Sequence, residues 1–172
     1  MSRLAASIVV LAAAIMTTAL AGGAPARPPA LSVHHLQVSV ADADALATWY
    51  VSKLGFEVTK RAGAGNVKVV WIDIPGFRIG LAQVPGSTRP AEMNAVPPDD
   101  TKHQGYRQIH FSTPNVDAAY RSLSANGVRF VMPPQSFSPP GIRLATFADP
   151  EGNLISLYQD LDPANALLPV RK

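Results

Sequence analysis

The sequence predicts one α+β domain made of two βαβββ modules, whose mixed β-sheets form an open cup with the helices outside. Two observations carry this prediction. Stretches with a hydrophobic period of 2 and stretches with a helical period follow one another in the same order twice. The chain has 172 residues, of which 47% are hydrophobic, and this suits a single domain with a substantial core.

The first module is predicted from residue 31 to about residue 85. Residues 33–40 alternate apolar and polar side chains, as in a half-buried strand. Asp42 or Asp44 can cap the helix that follows, and Gly55 marks its end. The apolar stripe of this helix consists of Leu46, Trp49, Tyr50 and Leu54. Three strands complete the module, at 56–60, 67–74 and 77–84.

The second module is predicted from about residue 105 to residue 160. A strand at 106–113 precedes a helix that ends at Gly127, and strands follow at 128–132, 142–148 and 154–159. A type I turn at 149–152 joins the last two strands, and two Pro-Pro pairs within 133–140 predict a stiff loop. The polar segment 85–104 between the modules is interpreted as a linker or a lid.

The order of elements indicates a duplication. Matching residues in the two halves lie 72 to 76 positions apart. The matched pairs are His35 with His110, Asp44 with Asp117, Gly55 with Gly127, and Gly80 with Ser156.

The N-terminus has the composition of an export signal. Arg3 is its only charge, residues 4–20 are apolar, and small residues precede a cleavage point after Ala21, with a second one after Ala26. The expected organisation is a signal at 1–21, a flexible spacer at 22–30, the domain at 31–160 and a tail at 161–172. The apolar run is too short and too rich in alanine to favour a membrane span. The mature protein is therefore expected in the periplasm or outside the cell.

Composition excludes some classes of partner. The formal charge is +3, and removal of Arg3 with the signal leaves +2 without a cluster of lysines and arginines, so nucleic acid is not an expected partner. The chain has no cysteine, so stability must come from packing.

Several motifs resemble the vicinal oxygen chelate superfamily, which includes glyoxalase I, bleomycin-resistance proteins, methylmalonyl-CoA epimerases and extradiol dioxygenases. The motifs are His35-Leu36-Gln37-Val38, Lys53-Leu54-Gly55-Phe56, Ile109-His110-Phe111-Ser112 and Phe147-Ala148-Asp149-Pro150-Glu151-Gly152-Asn153. The resemblance covers residues 31–160. It implies the paired-module fold, a small-molecule ligand in the cup, and compatibility with a homodimer.

The resemblance also implies a divalent metal site. Metal-dependent members hold an ion between the first and last strands of each module, and His35 and His110 are the candidate ligands here. Gly80 and Ser156 stand where a carboxylate or amide ligand is common. Because zinc sites usually have three protein ligands and harder ions prefer carboxylates, the expected site is weak or atypical, and it can be absent.

Polar residues on the inner strand faces are the other candidates for ligand binding. They are Gln37, Arg78, Gly80, Ser112, Ser156 and Tyr158, with Arg143 as a further residue of the cup or its rim. His34 is expected to be exposed, on the strand face opposite His35.

Two functions follow from these residues. The first is a metal-dependent lyase, isomerase or dioxygenase that acts on a small oxygen-bearing molecule, and the histidine pair favours it. The second is a metal-free protein that binds or sequesters a small molecule, and the missing carboxylates favour it. The sequence leans towards the enzyme.

Overall fold

Residues 33–102, 104–138 and 140–165 are described by the computed structural model of the chain. The predicted signal and spacer, at 1–21 and 22–30, lie outside the described residues, and so does the end of the tail after residue 165.

Two βαβββ modules are present, as the sequence predicts. The first consists of β1 (Leu36–Val40), α1 (Ala43–Leu54), β2 (Glu57–Ala64), β3 (Val67–Ile74) and β4 (Phe77–Gln83). The second consists of β5 (Gln108–Ser112), α2 (Val116–Ala125), β6 (Phe130–Phe137), β7 (Ile142–Ala148) and β8 (Leu154–Asp160). Short 3-10 turns lie at Ala91–Asn94 and Asp99–Lys102, in the segment between the modules, and at Pro163–Asn165.

Each module forms its own four-stranded mixed sheet. The strand orders are β1-β4-β3-β2 and β5-β8-β7-β6, and within each sheet the first strand runs parallel to the last. The remaining neighbours are antiparallel. This arrangement confirms the α+β class and the two open mixed sheets.

The segment with the first Pro-Pro pair is a strand and not the expected stiff loop. Strand β6 continues through Pro133 and Pro134 to Phe137, with two irregularities in its pairing with β7. Because β6 is the outermost strand of its sheet, a proline there removes no hydrogen bond from the interior of the sheet.

The same contacts fix both helices at their first turns. Asp42 caps α1 and Asn115 caps α2, each accepting from backbone amides of the first turn. The first helical amide also donates to a glutamine of the last strand: Ala43 N to Gln83 Oε1 at 3.1 Å, and Val116 N to Gln159 Oε1 at 3.0 Å. These repeated contacts support the duplication.

The register of the strands corrects one predicted match. Gln37 pairs with Gly80 between β1 and β4, and His110 pairs with Ser156 between β5 and β8. Since Gly80 and Ser156 are equivalent, the equivalent of His110 is Gln37. The predicted match of His35 with His110 is therefore wrong by two residues. A slip of two keeps every side chain on its face, so the alternation of the sequence could not detect it.

By the same register, the equivalent of His35 is Gln108. The first strands are thus related by 73 positions, the separation that also relates the caps Asp42 and Asn115.

Side chains from both modules form one hydrophobic core. Phe111 of β5 contacts Phe56 and Phe77 of the first module, with ring centroids 5.9 and 5.8 Å apart. Trp49 of α1 lies 6.3 Å from Phe147 of β7. These aromatic rings contribute apolar burial to the union of the modules.

The turn 149–153 between β7 and β8 adds polar contacts between the modules. Tyr50 donates from its hydroxyl to Asp149 Oδ2 at 3.1 Å. The carboxylate of Glu151 accepts from the backbone amides of Ala41 and Asp42, at 2.8 and 2.9 Å. The predicted type I turn is present, closed by a bond of 2.9 Å from Gly152 N to Asp149 O.

Among the described residues, no helix has the length and apolar character needed to cross a membrane.

Replacement of Tyr50 by phenylalanine tests the contact with Asp149. Burial raises the pKa of Asp149, and the bond from Tyr50 partly opposes this by lowering it. In Tyr50→Phe the pKa of Asp149 is then higher still. We expect a loss of about 1.5–3 kcal/mol in the free energy of unfolding near neutral pH, because a buried carboxylate loses a donor. The loss should shrink as pH falls through the folded-state pKa of Asp149, because the protonated carboxyl needs this donor less.

Urea unfolding of both proteins at a series of pH values measures this effect. Tyr120→Phe is the matched control, since its hydroxyl has no hydrogen-bond partner among the described residues. A loss in Tyr50→Phe that is independent of pH would contradict the assignment.

Candidate functional site

His35 lies just before β1 and packs into the space above Gly80. A Cβ atom added to Gly80 would lie 3.5 Å from His35 Cδ2. The ring of His35 also packs against Trp71, with centroids 5.0 Å apart, and its Nδ1 lies 2.8 Å from Nδ1 of His34. Gly80 has no side chain and so supplies no ligand atom, and a Cβ at this position would be in ordinary van der Waals contact with the imidazole.

His34 is exposed, as expected, but it does not lie on the face opposite His35. Its ring contacts both His35 and Trp71, at 5.0 and 6.0 Å. The strand begins only at Leu36, so strand alternation does not apply to the two histidines.

At the equivalent place in the second module, three polar side chains form a short hydrogen-bonded chain. The hydroxyls of Thr146 and Ser156 lie 2.7 Å apart, and Ser156 donates to Gln108 Oε1 at 3.0 Å. Ser156 and Thr146 are buried. Gln108 was not among the predicted site residues. The separation of 73 positions between the helix caps, applied to the first strands, would have found it.

His110 lies in β5 two residues after Gln108, and it pairs with Ser156 of β8. Its ring stands edge-on to Tyr158, with centroids 5.8 Å apart. Partial burial lowers the pKa of His110, so the imidazole is mainly neutral at pH 7. In that state one of the two ring nitrogens has a free lone pair.

The predicted arginines are held by aspartates. Arg78 donates to both carboxylate oxygens of Asp73 and lies over Trp71, 5.0 Å from the ring centroid. This contact lowers the pKa of Asp73. Arg143 forms the same fork with Asp117 of α2, so it lies on the helix side of its sheet and not in the cup or at its rim.

The donor set does not fit a tight metal site. The four positions related by register hold one imidazole, one glycine, one amide and one hydroxyl, from His35, Gly80, Gln108 and Ser156. Among the described residues, no group of three or more His, Asp or Glu side chains converges on one point. Zinc usually needs three such ligands and magnesium or manganese needs carboxylate oxygens, so these residues do not form a tight site for either kind of ion.

A cleft of about 470 Å³ lies along β1, where the segment between the modules and the turn 149–153 meet. Its volume is within the range of small-molecule sites. The lining residues are 36–41, Tyr50, 87–90, Met93, 106–109 and 151–154. Of the predicted ligand-binding residues, Gln37 lies in this wall, whereas Arg78, Gly80, Ser112, Ser156 and Tyr158 do not.

The cleft has an apolar wall with charged groups at one end. Leu36, Val38, Ile109 and Leu154 contribute apolar surface, and Gln37 and Gln108 contribute amides. Arg89 is fully engaged, donating to Gly152 O at 2.8 Å, Met93 O at 2.6 Å and two asparagine side chains. Glu151 is engaged by the two amides that lead into α1.

Comparison with known proteins identifies the family. A family model described as the Glyoxalase/Bleomycin resistance protein/Dioxygenase superfamily matches residues 32–157. A search of curated proteins found no match.

Solved structures share the fold. A member of the Glyoxalase/bleomycin resistance protein/dioxygenase superfamily from Sphaerobacter thermophilus DSM 20745 is 26% identical, with a TM-score of 0.55, over 75% of this chain and 98% of that chain. A glyoxylase/bleomycin resistance protein/dioxygenase domain from Frankia sp. EAN1pec is 19% identical, with a TM-score of 0.62, over 78% and 96%. A glyoxalase family protein from Enterococcus faecalis is 21% identical, with a TM-score of 0.61, over 74% and 96%. At their level of identity the last two show the fold alone.

Replacement of Ser156 by alanine tests whether this residue is structural. We expect Ser156→Ala to lose about 1–3 kcal/mol of unfolding free energy, because the buried hydroxyl of Thr146 loses its partner. Chemical denaturation measures this, with Ser112→Ala as the exposed control, expected within about 0.5 kcal/mol of wild type. Zinc affinity, measured by calorimetry, should not change. A fall in zinc affinity with stability intact would instead make Ser156 a ligand.

Proposed function

The chain belongs to the Glyoxalase/Bleomycin resistance protein/Dioxygenase superfamily, and on this premise we propose that it is an exported protein that binds a small, largely apolar molecule in the cleft along β1. Binding in this proposal requires no resident metal. The observation that carries it is the cleft itself, which has an apolar wall, two amide groups and a volume of about 470 Å³.

The chemistry of the wall supports binding more than catalysis. Sites for small molecules combine apolar surface with a few polar groups that fix the orientation of the ligand, and the cleft has this composition. Gln37 and Gln108 can donate to or accept from a ligand, but neither amide acts as an acid or a base at neutral pH. Glu151 accepts a backbone amide at each carboxylate oxygen, and these contacts give it a structural role at the start of α1.

A metal-dependent lyase, isomerase or dioxygenase is the second candidate function. One feature favours it: His110 lies in β5, one of the two first strands on which the metal ligands are predicted, and an imidazole is a common ligand of divalent ions. His35 is the other predicted ligand, and a divalent ion would act as a Lewis acid on an oxygen-bearing substrate.

Blocking the cleft tests the first proposal. Ser39 is exposed on β1 and lines the cleft, and its equivalent Ser112 is exposed on β5 outside the cleft. We expect Ser39→Trp to weaken binding of hits from a screen of aromatic and apolar compounds by at least about tenfold, roughly 1.4 kcal/mol. The matched Ser112→Trp should bind them as wild type does. Calorimetric titration measures the affinity of both variants. The opposite pattern would indicate that the site lies on the face of His110 and Tyr158.

Metal content separates the two functions. Protein purified without a histidine tag should hold less than stoichiometric zinc, manganese or iron by elemental analysis if the first proposal is right. Stoichiometric metal that is lost in both His35→Ala and His110→Ala would favour the enzyme instead.

Export and assembly are further parts of the proposal. The N-terminal pattern of Arg3, the apolar run 4–20 and Ala21 supports export to the periplasm or beyond. Mass spectrometry of the protein from its native host should find a mature chain that begins near Gly22 or Arg27, and an intact N-terminus would contradict export. The family fold is compatible with a homodimer, and that stays a prediction.

A further inference from the structure

Two arginines line the cleft, and they differ in how their donors are used. Arg89 makes four hydrogen bonds, to Gly152, Met93, Asn94 and Asn153, that tie the segment between the modules to the turn 149–153. None of its three nitrogens is left without a partner, so Arg89 has a structural role.

Arg107 has unused donors. Its Nε is buried and has no hydrogen-bond partner among the described residues. Its other contacts are weak: Nη1 lies 3.8 Å from Met93 Sδ, and Nη2 lies 3.5 Å from Glu92 O. A thioether is a poor acceptor, and 3.5 Å is at the limit of a hydrogen bond. A guanidinium that is partly removed from water without a strong acceptor is costly unless a ligand supplies one.

The charged side chains around the cleft favour binding of an anionic ligand. The lining contains two guanidinium groups and one carboxylate, and that carboxylate, of Glu151, already accepts two backbone amides. Among the described residues, no aspartate or glutamate forms an ion pair with Arg107. The buried Asp100 lies in the same segment but does not line the cleft.

From this geometry we propose that Arg107 selects an anionic ligand, in which a carboxylate or sulfonate is attached to an apolar body. The anionic group forms a fork with the guanidinium, and the body lies against Leu36, Val38 and Ile109. This inference rests on the proposed function of the cleft and adds to it the class of molecule that is bound.

Two dyes with the same aromatic skeleton test it. 8-Anilinonaphthalene-1-sulfonate is an anion, and N-phenyl-1-naphthylamine is neutral; both fluoresce in apolar surroundings. We expect wild-type protein to bind the anion more tightly, with an affinity that falls as salt is added. Arg107→Gln should weaken binding of the anionic dye by about tenfold or more, because a charge-assisted pair is lost, and should change the affinity for the neutral dye by less than about twofold.

Control variants separate charge from structure. Arg107→Lys keeps the charge without the planar fork and should bind the anion at an intermediate affinity. Arg129 is exposed and does not line the cleft, so Arg129→Gln should bind both dyes as wild type does. Thermal unfolding of each variant verifies the fold.

The outcomes distinguish the two claims. Equal affinity of wild type for both dyes, or equal weakening of both dyes in Arg107→Gln, would overturn the role of Arg107 while the cleft remains the site. If Ser39→Trp leaves binding of both dyes unchanged, the cleft is not the site, and the proposed function fails together with this inference.

Discussion

The polar junction of the two modules depends on the carboxylate of Asp149, which accepts a hydrogen bond from Tyr50 of the other module. This carboxylate is buried, and it is kept in place by four donors: the hydroxyl of Tyr50, the amides of Glu151 and Asn153, and the side chain of Asn153. A buried carboxylate is tolerated only when its lone pairs are satisfied, and these donors satisfy them. The turn that they order then presents Glu151 to the start of α1 and Gly152 to Arg89. One wall of the cleft is therefore positioned by this turn.

The two modules keep the same scaffold and differ at the equivalent inner positions. In the first module, Gly80 lies against the ring of His35. In the second, Ser156 and Gln108 occupy the same pair of positions and bond to each other. One module thus has an aromatic contact with Trp71 and the other a buried polar chain, and neither pair of positions supplies a carboxylate. The capping contacts from Gln83 and Gln159 are unchanged, because they hold the helices and do not contribute to the inner face.

The charged side chains on the helix sides of the sheets differ in their role from those of the cleft. On the helix sides of the sheets, Asp44 pairs with Lys68 and Arg61, and Asp117 pairs with Arg143. These pairs are solvent-exposed in part and contribute little to stability. The cleft is different, since its charges are partly enclosed by apolar residues and the segment between the modules. Arg89 holds the segment between the modules against the turn 149–153, whereas the proposed role of Arg107 is to bind the ligand. The two arginines of the cleft therefore have separate roles.

The sequence alone determined the class of fold, the order of the elements and the turn 149–152, because hydrophobic period and turn residues act locally. It also indicated the duplication. The tertiary structure decided the register that makes Gln108 the equivalent of His35, since a slip of two residues preserves the alternation on which sequence reasoning depends. It decided that Arg143 lies towards α2, because an ion pair with Asp117 is a contact between distant segments. It also decided where the cleft lies, since its walls come from β1, the segment between the modules and the turn 149–153, which only packing brings together.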